Sequence, residues 1–440
     1  MEKRSKYKAA AIAGAVMTVL LLALLSGCAR VKTVENRPAV GIEEPLYEWG
    51  KVTGKTISVW GRETDLTRGY MIRAFQRYED LTGNTVRTMA IPPEEIEARV
   101  ADALKDGGSG MDVLLYYGGT NIEAFDPDEN FYDFSKADWV DDLTNVSINQ
   151  AIYHGKVIGL PHWEASVSGT LYNKKIFKKL GITPPETQEE FQQVCRIMKD
   201  NGIIPLYLPG AAPTMLLYQF PLDTVIKGEG ILGALNQGDL HYEDLPEMHT
   251  VVEWYCSMAE NGYLGDYLKN DWEGMNDAME SGRYGMMLCW DTWLYTDFRG
   301  DASDFGLMPA FVGVPEEGTF EGPNLALLLV NRKGKQVDAA LDLISFMADP
   351  YNYNKAFEGI YTAPVFKKQM ASISTPQYVE AASWIEKNYH DSTAWMSIRG
   401  FSQSDASCIL ECMSGDGYTV EQCLRDMDEL RMGRTGIRQN

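Results

Sequence analysis

Histidine is scarce in this chain, five among 440 residues, and no two stand at the clustered spacing of a transition-metal site. Basic charge is in deficit. The 40 lysines and arginines against 62 acidic residues leave a net charge of −22, which argues against nucleic acid or an anionic membrane face as partner. Long apolar runs are confined to the first thirty residues, and the run from Leu325 to Val330 is only strand-sized. Nucleophile elbows, phosphate-cradling glycine loops and metalloprotease helices are absent, as are internal repeats and low-complexity segments. No cofactor, metal ion or catalytic residue is therefore expected. Residues 126–133 match the first three ligands of a calcium loop with Asp126, Asp128 and Asn130. Phe131 then stands where the turn glycine belongs and Ala137 where the bidentate glutamate belongs, so a solvated acidic loop is expected.

What is present points to an exported, multi-domain chain. At 440 residues and 45% hydrophobic content it can bury a large core in two or more domains. Lys3, Arg4, Lys6 and Lys8 precede an apolar region from Ala9 to Leu25, and Leu25-Ser26-Gly27-Cys28 closes it like a cleavage site. That tetrad resembles the bacterial lipobox, which implies lipidation of Cys28 after removal of residues 1–27; two acyl chains suffice for stable anchoring. An uncleaved spanning helix is the alternative, disfavoured by the Ser-Gly-Cys ending. Residues 28–50 hold few large apolar groups and read as a tether. Of the other six cysteines, Cys195 falls on the apolar face of a helix. Cys408 and Cys412 are one helical turn apart, and pairing of either with Cys423 stays open, with no bridge required.

Residues 169–206 carry the clearest local signals. Asn173 can cap a helix with Ile176, Phe177 and Leu180 on one face, stopped by Gly181 and barred from continuing by Pro184 and Pro185. Thr187 and Glu190 form a capping box for a second helix, in which Phe191, Val194, Cys195 and Met198 follow at i, i+3, i+4 and i+7 before Gly202. Earlier, strand patterns at Lys55–Trp60, Val86–Ile91 and Met111–Tyr117 alternate with helix patterns ended by Gly83 and by Gly107-Gly108. This alternation predicts a parallel sheet with ligands beyond the carboxyl ends of its strands, where Trp60–Asp65 and Tyr116–Asn121 form the loops. Tyr153–Pro161 reads as a hairpin feeding a strand. Further helices are expected at 215–235, 247–261 and 335–348, and strands at 284–289, 304–309 and 325–330.

The run from Leu171-Tyr172-Asn173-Lys174-Lys175 through Gly181-Ile-Thr-Pro-Pro185 to Phe191 resembles the signature of family 1 extracellular solute-binding proteins, the sugar receptors of ATP-binding-cassette importers. Looser similarities extend from about residue 55 to the end. The resemblance implies an α/β, two-lobed periplasmic-binding-protein-like fold, each lobe a mostly parallel sheet flanked by helices, with a hinge and a central cleft. It places 51–162 and 310–360 in the N-terminal lobe and 163–309 and 361–440 in the C-terminal lobe, with crossings at His162-Trp163-Glu164 and Gly359–Val365. It also implies a monomer on the extracellular face of the bacterial membrane, delivering a carbohydrate to the permease subunits of an importer.

Sugars offer apolar faces to flat rings and hydroxyls to carboxylates, amides and arginine. The stacking candidates are Trp60, Tyr116, Tyr117, Trp163, Trp290, Trp293 and Tyr361, and the hydroxyl acceptors are Glu63, Asp65, Glu164 and Asp291. Of Trp290 and Trp293, the resemblance favours Trp293 as the one facing the cleft. Trp395, Arg399 and Gln403 are further residues able to reach it. Two other functions remain open. A polyamine receptor of the same fold would use the same acidic and aromatic groups. A secreted glycoside hydrolase would need two carboxylates at a defined separation, which no feature of the chain demands.

Overall fold

The computed structural model describes residues 52–92, 95–105, 107, 110–211, 225–226, 228–370, 372–390, 394–415 and 417–435. The leader, Cys28 and the tether lie outside this set, as do most of the helix expected at 215–235 and the side chains of Trp395 and Gln403. Twelve strands are described: β1 (Thr56–Gly61), β2 (Thr85–Ala90), β3 (Val113–Tyr117), β4 (Ile152–Tyr153), β5 (Lys156–Val157), β6 (Ser168–Asn173), β7 (Ile204–Tyr207), β8 (Tyr284–Trp290), β9 (Phe305–Met308), β10 (Phe320–Glu321), β11 (Ala326–Val330) and β12 (Tyr389–His390).

The first sheet has the order β11-β3-β1-β2. β1 runs parallel to β2 and β3, as the alternation of strand and helix requires, and β11 is antiparallel to β3 with Leu328 opposite Leu115. β3 and β11 are apolar without alternation because helices cover both faces, and every residue of β11 is buried. The helix Gly69–Thr82 lays Tyr70, Met71, Ala74, Phe75 and Tyr78 on the core and stops at Gly83, whose φ of 69° is open to glycine.

The second sheet has the order β12-β10-β6-β8-β7, with β9 also pairing β6. It carries more antiparallel pairing than the first: β6 lies antiparallel to β8, β9 and β10, whereas β7 and β8 are parallel. The two helices after β6 form as their caps predict. Asn173 Oδ1 accepts from the backbone N–H of Lys175 and Ile176, and Gly181 ends the first helix at φ 66°. Thr187 Oγ1 accepts from the Glu190 N–H at 3.2 Å as expected, but the return half of the box shifts by one residue, the Glu190 carboxylate accepting from the Glu186 N–H at 2.8 Å instead of from Thr187. Thr187→Ala should cost about 1 kcal/mol, read as a lower urea midpoint at unchanged slope. A shift near zero would mean that this cap contributes nothing to the fold.

Each sheet has its own core. One gathers residues 57–165 and 325–366. The other region, in two adjoining clusters, takes residues 167–320 with 381–427. The expected lobe boundary at 310 falls inside the second region's packing. Ala310, Phe311, Val312 and Phe320 pack in the second region, because Ala310 bridges Thr319 in a turn that returns the chain to β6 before it crosses. Val365 and Phe366, expected in the C-terminal lobe, pack in the first core.

The chain passes between the two regions in three places. The first and third passages are tied together: Ala165 and Ala363 form an antiparallel bridge, and Thr362 Oγ1 accepts from the Ala165 N–H at 2.6 Å. In the acidic loop Asp126 has φ 47° and leads into a single helical turn, Pro127–Asn130. Asp128 there binds Lys156 at 2.5 Å and His154 at 2.8 Å, ordinary surface pairing.

Candidate functional site

The ends of β1 and β3 and the first crossing bring two arginines together with acidic and aromatic partners. A short helix, Glu63–Leu66, follows β1 and turns Asp65 inward, where it is 4% exposed and accepts from Arg62 Nε at 2.6 Å. Arg62 also donates to Tyr117 Oη at 2.5 Å, its guanidinium 4.8 Å from that ring's centre. Burial works against the Arg62 charge, yet Tyr117 and Asp65 hold the guanidinium more firmly protonated than usual.

Arg68 forms the second set. It donates to Glu164 Oε1 at 3.1 Å and lies 5.8 Å from the centre of the Trp163 ring, which meets Tyr70 edge-on at 6.1 Å. Burial pushes the Glu164 carboxyl upward while Arg68 pulls it back; Asp297, Asp291 and Asp65 add repulsion. Asp297 follows β8 in the second region, so charges from both sheets act on the first crossing. Its acidic groups outnumber its two arginines.

The second region contributes paired rings. Trp290, at the end of β8, stacks on Trp272 with ring centres 5.3 Å apart and planes 17° from parallel, both half-buried. Tyr361, on the third crossing, stacks on Tyr295 at 3.8 Å, and Tyr295 donates to Gln377 Oε1 at 2.9 Å.

Other expected residues are placed elsewhere. Trp60 shares the face of β1 opposite Ile57 and Val59, and its Nε1 donates to the Gly110 carbonyl at 3.0 Å. Gly110 precedes β3, so the indole leans toward the amino end of the sheet, away from the ligand end. Tyr116 is in the core with its hydroxyl on Glu97 at 3.0 Å. Trp293, favoured by resemblance over Trp290, is 1% exposed and packs on Phe298, whereas Trp290 is half-buried.

Asp291 is likewise spent internally. One carboxylate oxygen accepts from the Val167 N–H at 2.8 Å and the other from Thr375 Oγ1 at 2.5 Å, joining β8, the first crossing and the return chain. Glu63 is exposed, and Arg399 pairs with Glu123 at 3.1 Å. Five candidates that sequence reasoning did not single out stand with these groups: Arg62, Arg68, Trp272, Tyr295 and Asp297. Arg62 lies inside a loop already singled out, but the others sit in segments without motif or period.

The arrangement offers stacking rings, two arginine forks and buried carboxylates, the set that binds polyhydroxylated solutes. Among the described residues no group of three or more His, Cys, Asp or Glu side chains is placed to hold a metal ion. No described helix is long and apolar enough to cross a membrane.

Comparison with known proteins shows the family and the fold. The model of the bacterial extracellular solute-binding protein family matches residues 73–383. A multiple sugar-binding protein of Streptococcus mutans is 27% identical over 150 residues, a match spanning 34% of this chain and 34% of that protein. Among solved structures, a binding protein of Bacillus subtilis in an open conformation superposes with a TM-score of 0.70 at 16% identity, covering 87% of this chain and 98% of its own. A sugar transporter protein of Bacillus licheniformis in complex with stachyose gives 0.68 at 17% identity, covering 87% and 100%. These likenesses are of fold.

Proposed function

Because the chain belongs to the bacterial extracellular solute-binding proteins, a family of binding proteins rather than enzymes, we propose that it captures a carbohydrate, of oligosaccharide size, between its two sheets. The observation that carries this reading is the half-buried Trp272–Trp290 stack beside Asp291, whose carboxylate anchors the first crossing. A flat indole at that position covers the apolar face of a pyranose, while the Arg62–Tyr117 and Arg68–Glu164 sets supply planar hydrogen-bonding groups for hydroxyls. Trp163, Tyr117, Asp65 and Tyr361 complete the proposed contacts. The stachyose complex of the Bacillus licheniformis protein and the printed name of the Streptococcus mutans relative support the substrate class.

Capture works by domain closure. Two regions joined by three narrow crossings can rotate about the Ala165–Ala363 bridge, and a ligand that touches both lowers the free energy of the closed arrangement by its extra contacts there. The closed form would then be presented to the permease subunits of an ATP-binding-cassette importer by a monomer held at the membrane through lipid on Cys28. The leader pattern of residues 1–28 and the family's extracellular setting support that placement.

Titration calorimetry with neutral di- to pentasaccharides tests the reading. Trp290→Ala should weaken the tightest of them by at least about 2 kcal/mol, roughly 30-fold, with the melting temperature little changed. Unaltered affinity would remove Trp290 from the site, and no sugar binding to the unmodified protein would end the carbohydrate reading.

A further inference from the structure

Four of the described cysteines gather where the helix Pro246–Glu260 meets the helices Ala406–Ser414 and Val420–Thr435. The sequence left open a pairing of Cys423 with Cys408 or Cys412. The structure sets a different pair face to face: Cys256 Sγ lies 3.2 Å from Cys412 Sγ, across two helices and 156 residues of chain. Cys423 Sγ instead lies 4.0 Å from Met427 Sδ, inside its own helix.

We propose that Cys256 and Cys412 are an oxidisable dithiol that closes to a disulfide in the extracellular compartment and fastens the C-terminal helices to the second region. A disulfide needs sulfurs about 2.05 Å apart, so closure asks for an approach of about 1 Å, within the reach of side-chain torsions. The family is extracellular, where such bonds persist. The oxidant is a disulfide, small or carried by a thiol oxidoreductase. The Cys256 thiolate, on the more exposed of the two residues, attacks one of its sulfurs and expels one thiolate. The Cys412 thiolate then attacks the Cys256 sulfur of the mixed disulfide and expels the second. Two protein thiols are oxidised, one disulfide is reduced to two thiols, and their two protons pass to the departing thiolates.

Burial pushes both thiols upward, to about 12 for Cys256, so the folded dithiol holds little thiolate. The bridge therefore forms mainly while the chain is folding, when both thiols are ordinary. Both cysteines belong to the second region, so the bond leaves closure about the crossings free. It closes a long loop that includes β11 and two crossings, and so restricts the unfolded chain strongly.

The test is thiol mapping of the full chain, exported, solubilised in detergent, unfolded with maleimide present and digested without reductant. The expected product is one linked peptide pair containing Cys256 and Cys412, with Cys195, Cys289, Cys408 and Cys423 all alkylated. Reductant should lower the melting temperature of the unsubstituted protein and leave that of Cys256→Ser unchanged. Cys412→Ser should behave as Cys256→Ser does, which covers the case of one variant failing to fold. Six alkylated thiols after refolding with oxidised glutathione, a link through Cys423, or a reductant effect that persists in both variants would overturn the proposal.

Discussion

Arg431→Met is expected to lower the unfolding free energy by about 3–5 kcal/mol, the largest loss foreseen for a single substitution here. Arg431 is 0% exposed in the closing helix, where two of its nitrogens bind Asp428 Oδ1 at 3.1 and 2.7 Å and a third donates to the Leu235 carbonyl at 3.0 Å. The Tyr242 ring lies 5.1 Å below its guanidinium, and Asp428 also accepts from the Tyr242 N–H. Removing the arginine leaves a carboxylate that burial already pushes upward with the Tyr242 N–H and, at 4.0 Å, His241 as its remaining partners among the described residues. The cost is that of an unpaired buried charge, so Arg431→Met with Asp428→Asn should recover part of it. Urea unfolding of the three variants measures both quantities. A loss under about 1 kcal/mol would show that the pair is solvated in solution.

The second large effect is on acid stability and comes from His162. This ring is fully buried at the first crossing, 4.9 Å from Phe357 and 6.1 Å from Tyr70, and among the described residues the Met347 backbone is the polar group that acts on it. Burial lowers its pKa from 6.5 to about 3, outweighing the nearby Met347 backbone. The sign follows from linkage. Above pH 6.5 the ring is neutral in both states and the fold has its full stability; as pH falls from 6.5 toward about 3 the unfolded chain binds a proton that the fold refuses. That window is worth up to about 5 kcal/mol, an upper figure for one buried ring. His162→Phe, which suits the aromatic surroundings, should lose less stability than the parent between pH 6.5 and 3. Parallel curves for the two proteins would mean that His162 is hydrated or protonated in the fold.

The parts of the fold legible in the sequence are those with local causes. Asn173, Gly181, Thr187 and Glu190 act within a few residues of themselves, so both helices after β6 appear where their caps place them. The buried strands β3 and β11 were equally plain, because an apolar run bounded by turn residues has few other uses. The mixed order of the second sheet was not visible, since β6 pairs with β8, β9 and β10, all more than a hundred residues away. The Ala310–Thr319 bridge, which carries the chain from β9 to β10, was equally hidden, since no turn motif marks it.

Within the site, residue type was a better guide than residue choice. Trp290 and Trp293 look alike in sequence. In the fold Trp293 is buried and Trp290 half-buried, with Asp291 between them tied to Val167 and Thr375. Trp60 carries the right ring on the right strand, but the Gly110 carbonyl pulls it the other way. Trp272 and Asp297 lie in irregular segments where neither period nor motif marks them, and only the folded chain brings Trp272 onto Trp290 and Asp297 toward Glu164.

The most direct test of carbohydrate capture is thermal unfolding of the full, detergent-solubilised chain against mono- and oligosaccharides, spermidine and putrescine, with product analysis of every hit. An oligosaccharide at 100 times its dissociation constant should add about 2.7 kcal/mol of stability and be recovered intact. Stabilisation by polyamines alone, or a sugar that is consumed, would contradict the account.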